Sequence, residues 1–181
     1  PYGKVTIIQG DPGEGKTTMV LQIIAKLTRG ETILPADSTK DKRTNIDSEG
    51  GTVDTENAEN NALLQQLEAP VNVIYQTAED GLGDTIKPRL LAAGADCTKV
   101  MVIDDSEQPL TMADVRLEEA IIQTKARMVV LDPIQGFLGA EVDMHRANEI
   151  RPLMKRIAVL AEKYHCAIIL IGHMNKNSNG K

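Results

Sequence analysis

Between Gly10 and Thr17 the chain reads GDPGEGKT, a glycine opening the stretch and Gly15-Lys16-Thr17 closing it. This is the G-x-x-x-x-G-K-[ST] spacing of a phosphate-binding loop. The glycines let backbone N–H groups turn inward around phosphate oxygens. The helix that follows such a loop offers its positive N-terminus to the same anion. Lys16 is placed to reach the β- and γ-phosphates, and the Thr17 hydroxyl to ligate Mg²⁺. The nucleotide-binding residues expected are therefore Gly10, Asp11, Pro12, Gly13, Glu14, Gly15, Lys16, Thr17 and Thr18. The ligands expected are ATP and Mg²⁺.

Three further positions could complete that chemistry. Asp132 ends the apolar run MVVLD, and its carboxylate could hold the Mg²⁺ shell, usually through water. Pro133 then stops the strand, since it cannot extend a ladder. Glu79-Asp80 closes VNVIYQTAED at a strand's C-terminal edge, where α/β sheets bind ligands. Glu79 reads as the general base that orients water on the γ-phosphate, and Asp80, before Gly81, as a turn or cap residue. The stretch Gly172-His173-Met174-Asn175-Lys176 follows a fifth apolar run, and His173 or Asn175 could sense the γ-phosphate there. His165 and Cys166 read as structural residues, and His145 as a surface residue at a helix start. The three histidines are too dispersed for a metal site.

These residues need a scaffold. Apolar runs at Lys4–Gln9, Val71–Gln76, Val100–Ile103, Met128–Leu131 and Ala167–Ile171 read as five strands. They lack alternation, as do strands covered on both faces of a parallel sheet. Helical patterns fill the gaps. Residues 16–28 are helix formers ending at Gly30, a C-cap. Pro88 limits where a helix over 85–94 can begin. Thr111 is placed to cap a helix, with Asp114 completing a weak capping box and Leu110 and Val115 at the staple positions. Ile150, Leu153, Met154, Ile157, Leu160, Ala161 and Tyr164 form one apolar stripe, and Pro152 is expected in that helix's first turn. The sum is a βαβα arrangement with right-handed crossovers.

Composition narrows the partners. The 181 residues carry 26 acidic and 20 basic side chains, a net charge of −6, with no Trp and a single Phe. Residues 31–70 hold nine acidic and three basic residues and so account for that whole charge. The remainder is balanced, so the acidity does not exclude a nucleic-acid partner. The scarcity of aromatics disfavours base stacking by this chain. Residues 31–70 read as an insertion, loop-like in the first half, with a short amphipathic helix over 56–67. Two distant cysteines exclude a disulfide framework. No apolar run reaches the roughly 18 residues of a membrane span, and no signal sequence opens the chain. A cytoplasmic protein with no membrane partner is expected. The chain starts at Pro1 and ends at Lys181 just past an apolar run, so a longer natural protein is expected at both ends, with 1–181 as one core.

GDPGEGKTT, VIYQTAED, MVVLDPIQGF and IILIGHMNK together resemble the RecA-like P-loop ATPases. Within them, the resemblance is to the plasmid and phage replicative-helicase-like ATPases. It covers about residues 1–30 and 71–181. It implies a three-layer α/β/α fold with sheet order 3-2-4-5-1. It also implies an ATPase that works as a homo-oligomer, often a hexamer or filament, coupled to DNA replication, repair or recombination. Lys16, Thr17, Asp132 and Glu79 match the family's phosphate, metal and catalytic positions, and His173 or Asn175 its sensor. DNA-contacting loops would follow the fourth and fifth strands, at 135–145 and beyond 173. The family's arginine finger comes from a neighbouring subunit and has no assignable counterpart. Arg89, Arg127, Arg146, Arg151 and Arg156 read as surface residues. Two other readings use the same loop: an ATP-dependent assembly module without hydrolysis, and a small-molecule kinase. The second would need an arginine-rich lid, which the sequence does not display.

Overall fold

The computed structural model describes residues 1–33, 69–140, 142–143 and 146–173. Asn175, His145, most of the 31–70 insertion and its expected 56–67 helix lie outside these residues. Five parallel strands form one sheet: β1 (Val5–Gly10), β2 (Val73–Thr77), β3 (Val100–Met101), β4 (Met128–Asp132) and β5 (Ala167–His173). Their order is β1-β5-β4-β2-β3, the expected 3-2-4-5-1 met from the other edge. Helices α1 (Lys16–Arg29), α2 (Lys87–Ala92), α3 (Val115–Thr124) and α4 (Ala147–Tyr164) connect them.

Successive strand side chains point to opposite faces, and the two faces build two cores. Val73, Tyr75, Met128, Val130 and Ile171 pack with Val20, Leu21 and Ile24 of α1 and Leu90 of α2. Ile74, Val129, Leu131, Ile168 and Leu170 pack with Leu117 and Ile121 of α3 and Ile157 and Leu160 of α4. Every residue of β4 is buried, as a central strand covered on both faces must be. The register sets Gly10 beside His173 and Thr77 beside Asp132. The C-terminal ends of β1, β2, β4 and β5 therefore meet along one rim, with the phosphate loop between β1 and α1.

Several local expectations are corrected. Asp114, not Thr111, caps α3: its carboxylate accepts the Arg116 N–H at 2.9 Å, while the Asp114 N–H donates to the Thr111 carbonyl in a preceding turn. Aspartate is a strong cap, and Arg116 also pairs with it at 2.7 Å. Pro152 lies inside α4 rather than in its first turn. The helix starts earlier because Glu149 organises the chain ahead of it, accepting from the Asp143 N–H at 2.7 Å and from Arg146 at 3.3 Å. Strand β3 stops at Met101, two residues short of Ile103. Beyond it the Gln76 amide replaces the ladder, accepting from the Ile103 N–H at 3.0 Å and donating to its carbonyl at 3.1 Å. A π-helical turn over Leu82–Ile86 leads into α2, with Pro88 in the first turn, where its missing N–H costs nothing. His165 ends α4 in a left-handed conformation (φ 49°), just ahead of β5.

Candidate nucleotide-binding site

The loop over 10–17 has the form its glycines predict. Gly13 (φ 84°) and Gly15 (φ 79°) occupy the left-handed region, which costs a side-chain-bearing residue energy and glycine little. Gly15 precedes α1 directly, so the first N–H groups of a fourteen-residue helix open toward the loop. Asp11 donates its backbone N–H to Glu14 Oε2 at 2.9 Å, and the Glu14 carboxylate fills the space a Cβ on Gly10 would need. Lys16 is 8 % exposed and donates from Nζ to the Gly10 carbonyl at 2.9 Å and the Asp11 carbonyl at 2.6 Å. Among the described residues its partners are neutral carbonyls, and an ammonium so held in a nearly closed place is poised to exchange them for an anion. A cavity of about 240 Å³ opens here, lined by Gly13, Gly15, Lys16, Thr17, Thr18 and Arg89.

Asp132 meets the loop from β4. Thr17 Oγ1 donates to Asp132 Oδ2 at 2.8 Å, and the Tyr75 hydroxyl donates to the same oxygen at 2.8 Å. Asp132 is 5 % exposed, and among the described residues no lysine or arginine pairs with it. A carboxylate this buried is ordinarily matched by a cation. Its hard oxygen, with a threonine hydroxyl that keeps lone pairs free, is the donor set Mg²⁺ takes. Among the described residues no cluster of three or more His, Cys, Asp or Glu could hold a metal alone. The fit is therefore to Mg²⁺ arriving with phosphate and water ligands.

Glu79 is exposed, in the turn just beyond β2. That turn is fixed on both sides. Thr77 Oγ1 accepts the N–H groups of Glu79 at 3.3 Å and Asp80 at 3.1 Å, and the Ala78 N–H donates to the Asp132 carbonyl at 3.1 Å. From the other side Gly136, in the short helical turn Ile134–Phe137 after β4, sits where a Cβ would overlap the Cβ of Ala78. His173 closes β5 beside Gly10, and Asn175 falls outside the described residues.

Two residues of the site, Arg89 and Tyr75, escape a reading of the sequence. Arg89, expected as a surface residue, lines the cavity and donates to Thr18 Oγ1 at 2.8 Å. Asp80, in the turn as expected, lies 3.8 Å from Arg89. Tyr75 reads as a buried strand aromatic, and its hydroxyl contact with Asp132 depends on the β2–β4 register. No local motif marks Arg89 or Tyr75. Among the described residues, Arg89 is the one arginine that lines the cavity, where a kinase lid requires a cluster.

A five-stranded parallel sheet of this order, with a phosphate loop after β1 and a buried aspartate ending β4, defines a RecA-like P-loop ATPase. The family model described as AAA domain matches residues 60–179, and the chain belongs to that family. The match includes Glu79 and Asp132, and the phosphate loop lies upstream of it. Among solved structures, a KaiC-like protein from the hyperthermophilic archaeon Pyrococcus horikoshii OT3 is similar, with a TM-score of 0.55 and 14 % identity. The likeness covers 96 % of this chain and 64 % of that one, so the chain spans less than two thirds of that protein. At that identity the likeness speaks for the fold. No curated protein matches the sequence.

Proposed function

We propose that the chain binds ATP with Mg²⁺ and hydrolyses its β–γ phosphoanhydride. The observation that carries this reading is the 2.8 Å hydrogen bond from Thr17 to Asp132 at the mouth of a loop whose lysine is nearly enclosed. Lys16 exchanges its carbonyl partners for β- and γ-phosphate oxygens, and the loop and α1 N–H groups take the remaining charge. Thr17 and Asp132 would hold Mg²⁺, which would supply positive charge against the charge developing on the phosphates. Glu79 orients a water and accepts its proton. The water oxygen bonds to the γ-phosphorus, the bond to the β–γ bridging oxygen breaks, and ADP and inorganic phosphate leave.

We further propose that turnover is coupled to DNA in a homo-oligomer, with the segment after β4 at the DNA. Support for this comes from the sequence motifs alone. The experiment is ATP hydrolysis with and without single-stranded DNA, beside Lys16→Ala and Glu79→Gln. Lys16→Ala is expected to lose turnover. Glu79→Gln is expected to keep ATP binding and lose about 10²–10⁴ in rate. Stimulation by DNA supports the coupling, and an identical rate with and without DNA overturns it. Normal turnover by Lys16→Ala overturns the site.

A further inference from the structure

We propose that Tyr75 is a positioning residue for the metal site: its buried hydroxyl holds Asp132 in the orientation that binds Mg²⁺. This rests on reading Asp132 as the metal-shell aspartate. Tyr75 is the largest fully buried side chain, with no exposed surface, packed in the core between the sheet and α1. Tyrosine and aspartate are brought together by register. Tyr75 lies opposite Val130 in the β2–β4 ladder, and Asp132 is two residues further along the same face.

The hydroxyl can only donate in this contact. A carboxylate oxygen has no proton to offer, so the phenol O–H is the donor and Asp132 the acceptor. The phenol O–H donates to Oδ2 at 2.8 Å. The Thr17 hydroxyl donates to the same oxygen. Oδ1 takes neither hydroxyl. The two donors come from different elements, a buried strand aromatic and the start of α1. Tyr75 belongs to the buried core that also holds Val20, Leu21 and Met128, and close packing fixes such a ring. Partners of this kind, one shell out from the metal, usually matter 10–100-fold to metal affinity.

The test is Tyr75→Phe, which keeps the ring and removes the hydroxyl. Mn²⁺ serves as the probe, its binding to the protein–ADP complex followed by electron paramagnetic resonance, with ADP affinity in chelator measured alongside. The expected result is Mn²⁺ binding weakened about 10–100-fold with metal-free ADP affinity unchanged. In the Asp132→Asn background the same substitution should change Mn²⁺ affinity no further, because the oxygen it orients has lost its charge. Unchanged Mn²⁺ affinity in Tyr75→Phe overturns the role of Tyr75 and leaves the nucleotide site standing. Equal loss of metal-free ADP affinity also overturns it, since that marks a general packing defect. A wild-type protein whose ADP complex takes up no Mn²⁺ overturns the metal reading of Asp132 and this inference with it.

Discussion

Thr17 Oγ1 and Asp132 Oδ2, 115 positions apart in the chain, lie 2.8 Å apart in the fold. The sheet order produces this. β4 is separated from β1 by β5 alone, so the first turn of α1 reaches the end of β4 across one strand. Asp132→Asn preserves the shape and an acceptor for Thr17 and Tyr75 but removes the charge. The expected outcome is a folded protein that binds ADP in chelator as the wild type does, yet gains no affinity when Mg²⁺ is added. Titration calorimetry with and without Mg²⁺ measures this. A Mg²⁺ gain equal to that of the wild type would place the metal elsewhere.

Arg89 answers a different question. It donates to Thr18 and sits 3.8 Å from Asp80, at the edge of the phosphate cavity. Exposed ion pairs contribute little to stability, so its value as a brace is small. Its value as a fixed cation beside phosphates is larger, since a guanidinium is always charged and forks toward oxyanions. Arg89→Ala should leave the melting temperature within a few degrees of wild type and weaken ATP binding several-fold. Arg89→Lys should recover only part of it. Equal ATP affinity in all three proteins would restrict Arg89 to the surface.

How much of this was legible in the residues differs from place to place. The phosphate loop was, because its chemistry is set by one contiguous run and by backbone conformations that only glycine adopts cheaply. The strand order was legible only through the resemblance to RecA-like ATPases, and it emerged as expected. Asp132 and Glu79 were visible as carboxylates ending apolar runs. Arg89 and Tyr75 were not, because their partners arrive from other elements: Thr18 from α1 for one, Asp132 from β4 for the other. Pro152 misled for a related reason. Proline disfavours a helix interior, but the contacts of Glu149 with Asp143 and Arg146 had already organised the turns ahead of it.

Gly136 presses on the turn that carries Glu79. A Cβ at Gly136 has no room against the Cβ of Ala78, and the Ala78 N–H is bonded to the Asp132 carbonyl, so the turn after β2 would have to shift. Gly136→Ala should therefore lower the rate of ATP hydrolysis at saturation about tenfold or more, since angstrom-scale misplacement of a reacting group is costly. ATP affinity, which depends on the phosphate loop, should stay near wild type. Ala78→Gly added to Gly136→Ala frees the space and should restore most of the rate. A rate unchanged by Gly136→Ala, or a double variant as slow as the single one, would show that the contact does not set Glu79.

Asp114 offers a test of the scaffold away from the site. It caps α3 through the Arg116 N–H and holds the Arg116 guanidinium, which in turn donates to the Asp104 carbonyl at 2.9 Å and the Gln108 carbonyl at 2.9 Å. Asp114→Ala should cost about 1 kcal/mol, as lost caps do. That corresponds to a fall of about 2–4 °C in melting temperature for a protein this size. The hydrogen bonds from Arg116 hold the Asp114 carboxyl below its ordinary pKa. A depressed folded-state pKa adds stability above the unfolded value, about 4, and loses it as pH falls through the lower folded value. The gap between wild type and Asp114→Ala should therefore be full at pH 7 and shrink steadily below about pH 4. Thermal unfolding across that range measures it, and a gap that does not change with pH would mean that the carboxylate's charge plays no part in the cap.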